Sequence, residues 1–251
     1  MDPKPKINRE FIFRYIIFGI FVLVFYTPTL FMPRRWLYRL YYPIFNKGYL
    51  WAAKIKAINL SDDSLFKIEK PMIFAPVHKC YADSIILGLF LRKPFTVLMD
   101  MANRNNNPFF RFIAWKMGLI PIDRDFTQLI SKKNSIEKCI REISVYKYSL
   151  VIFPEGRHYY EYKVGPLKKG VIKVAKQSGA DIVPVAIYGI TGHFVFEKKL
   201  VNKNAYIKFG TPFNPSSFEN EKDALVHLKL SIEKLYDEIE ETNKSKEIKN
   251  G

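Results

Sequence analysis

Short apolar runs alternate along this chain with longer stretches whose apolar positions recur every three or four residues. The runs read as buried strands at Met72–Ala75, Phe95–Met99, Leu119–Ile122, Leu150–Phe153, Ile182–Ile187 and Ala205–Phe209. The longer periodic stretches predict helices over Ser84–Leu91, Pro108–Met117, Leu129–Tyr146, Leu167–Gln177 and Glu221–Glu241. The last is clearly amphipathic, with Leu225, Leu228, Ile232, Leu235 and Ile239 at helical spacing. Strands alternating with helices predict an α/β fold, a mixed sheet flanked by helices. Pro184, inside an otherwise good strand, implies an edge, a bulge or a strand terminus. Past Thr242 the chain is lysine-rich and polar, and is expected to fray.

The N-terminal pattern is different. From Tyr15 to Pro33 no residue is charged, and no small-residue cleavage site follows. The stretch is marginal in length for a membrane span and Pro28 interrupts it. Lys4, Lys6, Arg9 and Arg14 precede it, and Arg34, Arg35 and Arg39 follow. Basic residues on both flanks conflict with a simple crossing. The aromatic, basic run Trp36–Pro43 has the character of an interfacial segment. The pattern predicts a helix or helical hairpin half-buried in the cytoplasmic leaflet, anchored through Tyr15, Phe21, Phe25 and Trp36. A full span and a buried core helix are the alternatives. The expected organisation is a membrane-anchoring helical segment over 1–58, a globular domain over 59–242 opened by the turn at Ser61–Ser64, and a basic tail over 243–251.

Composition narrows the partners. A chain of 251 residues with 48% hydrophobic content supports one substantial folded domain plus an appendage. A formal charge of +16 calls for an anionic partner: a nucleic acid, a membrane surface or a phosphorylated substrate. No nucleic-acid motif is present, and the uncharged N-terminal stretch favours the membrane. Two cysteines and four histidines at unrelated spacings point to no disulfide framework and no metal.

Candidate chemistry begins with His78 and Asp83. Five residues apart, they point away from each other in one continuous helix. With His78 on a strand-to-helix turn and Asp83 in the first helical turn, the carboxylate can accept from one ring nitrogen and leave the other to take a proton. Such a pair is a general base; the alternative is an Asp that only caps its helix. Cys80, two residues on, raises a thiol nucleophile as a further alternative.

Three other places carry charge next to a predicted strand end. Asp123-Arg124 follows Leu119–Ile122, and the Arg124 fork suits either a phosphate or a surface ion pair with Asp123 or Asp125. Pro154 ends the next strand, and Glu155, Gly156 and Arg157 follow it. Gly156 permits close backbone approach, so this turn is either a phosphate-binding rim with Arg157, Lys163, Lys168 and Lys169 or an ordinary turn among solvated lysines. Lys168 and Lys169 open a helix whose N-terminus adds donors for an anion.

Taken in order, His78-x-x-x-x-Asp83, Gly118-Leu119-Ile120-Pro121-Ile122-Asp123-Arg124, Phe153-Pro154-Glu155-Gly156, Lys168-Lys169-Gly170 and Val183-Pro184-Val185 resemble the glycerolipid acyltransferase family, over about residues 60–215. Its best-known members are 1-acylglycerol-3-phosphate acyltransferases. The resemblance implies direct transfer of an acyl group from acyl-CoA or acyl carrier protein to lysophosphatidic acid. It implies no covalent acyl-enzyme, no cofactor beyond the thioester co-substrate, and a membrane location with the site facing the cytoplasm. His78 resembles the general base, Asp83 its orienting carboxylate, Arg124 the acceptor-phosphate residue, and Glu155 and Gly156 the residues that shape the acceptor site. Two departures stand out. The family's Asn before the histidine is Val77 here, and its Ser two residues after is Cys80. The third motif, usually continued Thr-Arg-Ser, reads Arg157-His158-Tyr159, which opens the reading to another lysolipid acceptor; a non-catalytic lipid-binding protein is a separate alternative.

Overall fold

The computed structural model describes residues 9–29, 31–62, 65, 68–80, 82–91, 94–100, 116, 118–122, 129–158, 163–191 and 203–250. Among them, seven strands form one sheet in the order β1-β7-β6-β2-β5-β3-β4. The strands are β1 (Ile55–Asn59), β2 (Ile73–Pro76), β3 (Phe95–Asp100), β4 (Ile120–Ile122), β5 (Ser149–Val151), β6 (Ile182–Tyr188) and β7 (Lys203–Phe209). Strands β4, β3, β5, β2 and β6 run parallel, while β7 pairs antiparallel with β6 and parallel with β1. The sheet is therefore mixed, as expected.

Both faces of the sheet are covered, which is why the central strands β2 and β6 are apolar at nearly every position. Phe74, Val183, Val185, Ile187 and Ile207 point into one core, with Tyr38 and Leu50 from the N-terminal helices and Ile86 and Leu87 from helix α4 (Asp83–Phe90). Ile73, Ala75, Leu150, Ile182 and Ala186 point the other way. They meet α5 (Leu129–Ser144), α6 (Gly170–Ser178) and α7 (Glu221–Asn250) through Cys139, Ile143, Val171, Ile172, Leu228 and Ile232.

Several boundaries differ from the sequence reading. Strand β1 was not anticipated and lies largely within the segment expected to be helical. Its partner is β7, paired in register from Ile55 with Lys203 to Asn59 with Ile207. Helix α6 starts three residues late, at Gly170, and the Lys168 N–H ahead of it is held by the Pro154 carbonyl at 2.8 Å. Helix α5 stops at Ser144, and Lys147 beyond it takes φ +57°. Helix α7 runs on to Asn250, past the expected boundary at Thr242; Lys and Glu there are good helix formers. Pro184 is not on an edge strand, since β6 lies between β7 and β2. It sits where the β7 ladder ends, its carbonyl accepting from Gly210 N–H at 2.8 Å, so the missing proline donor costs one terminal rung. The helix expected over 108–117 lies outside the described residues apart from Lys116.

The N-terminus forms a helical hairpin. Helix α1 (Arg9–Thr29) returns through α2 (Arg34–Trp36), a π-helical turn over Leu37–Tyr41 and α3 (Tyr42–Ala53). Phe18 packs on Phe45 and Tyr49 of α3. The returning limb packs on the sheet domain, with Tyr38 and Tyr42 both against Phe95. Among the described residues no helix is long and apolar enough to cross a membrane.

Candidate active site

Strand β2 ends at Pro76 and α4 begins at Asp83, so the residues between them form the strand-to-helix turn that the spacing required. There the His78 Nδ1 lies 2.9 Å from Asp83 Oδ2. A carboxylate only accepts, so Nδ1 carries the proton and Nε2 keeps its lone pair. The Asp83 side chain is fully buried and that of His78 is 14% exposed. Asp83 Oδ2 also accepts the backbone N–H groups of Lys79 at 2.6 Å and Cys80 at 2.8 Å. The Cys80 thiol donates to Asp83 Oδ1 at 3.2 Å. These donors fix the carboxylate and, through it, the imidazole.

The third motif closes the site from the neighbouring strand. After β5 the chain turns at Pro154-Glu155-Gly156, with Gly156 N–H on the Phe153 carbonyl at 3.0 Å and Gly156 at φ +68°. Glu155 is only 2% exposed. Its Oε2 accepts the His78 backbone N–H at 2.9 Å and its Oε1 accepts Gly165 N–H at 2.7 Å. Glu155 thus holds the catalytic turn through its backbone. The close approach that Gly156 permits is that of Lys168, whose Nζ would lie 2.8 Å from an added Cβ. Arg157 and Lys168 are exposed, forming a cationic rim beside the turn.

The His78 ring is held on both faces. Phe153 stacks on it with centroids 4.0 Å apart, and His158 lies against it at 3.8 Å. Sequence reasoning missed these two residues and Lys79, a buried lysine next to the histidine. Phe153 had been taken as strand core, and His158 only as a departure from a motif. Asp123 and Arg124 lie outside the described residues; strand β4, which precedes them, ends on the same side of the sheet as β2 and β5. Ligands of open α/β sheets gather at these carboxyl ends.

Burial, and then Asp83 beside it, pushes the Cys80 thiol well above its ordinary range, which disfavours a thiolate at this turn. Among the described residues no three His, Cys, Asp or Glu side chains are grouped to hold a metal ion.

The anchor residues separate into two sets. Tyr15 stacks on Phe11 and meets Tyr49 edge-on, and Phe21 lies against Gly48, so both face α3. Helical periodicity turns Ile12, Phe13, Ile16, Ile20, Leu23 and Val24 to the outside instead. Trp36 is exposed. The Phe25 side chain is outside the described set.

A turn-borne His–Asp pair beside a cationic rim, on a mixed sheet with helices on both faces, is an arrangement that can take a proton from a hydroxyl. The profile of the family described as Acyltransferase matches residues 57–188, more than half of the chain, and the chain belongs to that family. It is 36% identical over 184 residues to a protein of Mycoplasma pneumoniae named probable 1-acyl-sn-glycerol-3-phosphate acyltransferase, covering 68% of this chain and 66% of that one. A 1-acyl-sn-glycerol-3-phosphate acyltransferase of Chlamydomonas reinhardtii is 26% identical over 149 residues, 56% of this chain and 42% of the relative. The chain thus spans less than two thirds of either relative's length. In fold it is similar to the crystal structure of the 1-acyl-sn-glycerophosphate (LPA) acyltransferase PlsC from Thermotoga maritima. The TM-score is 0.69 at 16% identity, covering 92% of this chain and 95% of that one.

Proposed function

We propose that this protein is a membrane-associated O-acyltransferase that transfers a fatty acyl group from a thioester to the hydroxyl of 1-acylglycerol-3-phosphate, forming phosphatidic acid. The observation that carries this reading is the His78–Asp83 pair, with Nδ1 committed to the carboxylate and Nε2 left to take a proton. An alcohol is a poor nucleophile until a base removes its proton during attack. Nε2 accepts that proton as the acceptor oxygen bonds to the thioester carbonyl carbon. The C–S bond then breaks, and the imidazolium, steadied by Asp83, returns the proton to the departing sulfur. Arg157, Lys168 and Arg124 are the proposed contacts of the acceptor phosphate. Relatives named for this acceptor support the choice.

Membrane association is proposed from the outer face of α1, where Ile16 is 56% exposed and Leu23 70% exposed. A row of apolar side chains this long beside basic residues suits the headgroup–acyl boundary of an anionic bilayer. The site then works on the leaflet that holds its acceptor, on the cytoplasmic side.

The deciding experiment is a panel of lysolipid acceptors with acyl-CoA and acyl carrier protein donors, read by product mass spectrometry on the full chain in detergent. Phosphatidic acid as the main product is expected. The altered residues after Gly156 make another lysophospholipid or an aminolipid the competing acceptor, and preferential acylation of one would replace the proposed substrate. Transfer to none of them would overturn the enzyme reading.

A further inference from the structure

Lys79 carries an ammonium where proteins rarely leave one. Its side chain is fully buried, and so is that of Glu155, whose Oε1 lies 3.6 Å from Lys79 Nζ. The Nζ also donates to the Lys163 carbonyl at 2.7 Å. Lys79 thus joins three separate pieces of chain: the catalytic turn, the third motif, and the loop whose Gly165 N–H meets the same carboxylate. Around it, three consecutive backbone N–H groups are divided between two buried acids. Glu155 takes that of His78; Asp83 takes those of Lys79 and Cys80.

That division creates an electrostatic problem at the base. Asp83 meets the His78 ring and Glu155 meets the backbone N–H of the same residue, and negative charge nearby favours the protonated ring, which cannot act as a base. Asp83 must be there to orient the ring. Glu155 is needed for the backbone, yet its charge pulls in the same direction. We infer that Lys79 is a positioning residue for the catalytic base: it holds the Glu155 carboxylate under the His78 N–H and offsets its charge, so that the His78 ring responds chiefly to Asp83. This inference rests on the acyl-transfer reading for its kinetic consequences. The charged and titratable groups around His78 among the described residues are Asp83 on α4, Glu155 and His158 on the third motif, and Lys79 and Cys80 on its own turn. Arg157 and Lys168 lie on the exposed rim.

The experiment compares Lys79→Met, Glu155→Gln and the double variant with wild type, using the full chain in detergent. Lys79→Met should lower kcat by about 10–100-fold while the acceptor KM stays within about twofold, the pattern of a lost transition-state interaction. With Glu155 left uncompensated, the acidic limb of kcat/KM should move to higher pH by about one unit. The double variant removes both charges, so its limb should return toward wild type. Its loss should also be smaller than the product of the two single losses, because each single variant strands a buried charge. Should Lys79→Met prove too unstable to purify, the double variant, folded and with a wild-type limb, carries the same test. Titration of the His78 ring by NMR reads the shift without turnover. If wild type acylates nothing while the ring still titrates higher in Lys79→Met, the acyl-transfer reading fails and the role of Lys79 stands. A Lys79→Met enzyme with wild-type kcat and limb, or a double variant that loses the full product, would overturn the role.

Discussion

The His158 ring lies on the face of the His78 ring opposite Phe153, with centroids 3.8 Å and 4.0 Å away. Two rings cannot share one face at such distances, so the imidazole is clamped between them and only its edge is left to react. Both clamping residues come from one short segment after β5. The clamp depends on a flat ring at 158 more than on the identity of its atoms. His158→Ala should lower kcat about three- to tenfold, matching the ~0.5–1.5 kcal/mol of an aromatic contact, and His158→Phe should restore it. Steady-state kinetics on both variants decide; a Phe variant as slow as the Ala variant would remove the clamp as the explanation.

Asp83 works only as an acceptor. Asp83→Asn puts a donor where Nδ1–H needs an oxygen, which favours the wrong tautomer or turns the ring. We expect kcat to fall about 10²–10⁴-fold, as for His78→Ala, with unchanged far-ultraviolet circular dichroism. Cys80→Ser should stay within about threefold of wild type, because a hydroxyl can donate to Asp83 Oδ1 as the thiol does at 3.2 Å. A silent Cys80→Ser enzyme in a well-folded protein would reopen the thiol.

The outer face of α1 predicts its own phenotype. Ile16→Glu together with Ile20→Glu places two charges on exposed positions, so thermal stability should hardly change. Flotation with anionic vesicles should show most of the bound protein lost. Vesicle binding equal to wild type would move the membrane contact to another surface.

High pH should weaken the fold through buried neutral groups. Burial pushes the Cys139 thiol up to about 12 from 9.0, with Glu142 adding to it. Burial likewise takes Tyr38 from 10.0 up to about 12, partly countered by Arg34. The folded state keeps these protons where the unfolded chain has lost them, so their contribution is complete below about pH 9 and drains away toward 12. Chemical denaturation across that window should show falling stability, with a shallower fall in Tyr38→Phe. An identical slope in that variant would remove Tyr38 from the effect.

The sheet and the dyad were legible because both rest on local pattern. Apolar runs bounded by Gly, Pro and charge mark β2, β5 and β6, and Asp83 at the head of an apolar helix leaves its spacing to His78 only one productive geometry. Strand β1 was hidden because Ile55-Lys56-Ala57-Ile58-Asn59 alternates poorly and its partner lies at residues 203–207. The inward turn of Glu155 and the burial of Lys79 were hidden for a related reason. A charged residue in a turn reads as solvated, and only the tertiary fold shows that a loop from residues 163–165 covers it. The N-terminal hairpin was legible as a segment but not by face, since an uncharged stretch carries no polar side to orient it.

Lys54 alone separates α3 from β1, and its left-handed conformation turns the helix straight into the sheet. Its ammonium is also paired with Glu10 on α1 at 2.6 Å. No flexible tether therefore lies between the hairpin and the strand order that carries His78. On the proposed bilayer, seating the hairpin would fix the height and tilt of the imidazole above the lipid. The rate should then follow the mole fraction of acceptor in the surface and not its bulk concentration, so diluting the acceptor with inert lipid should slow the enzyme at constant total substrate.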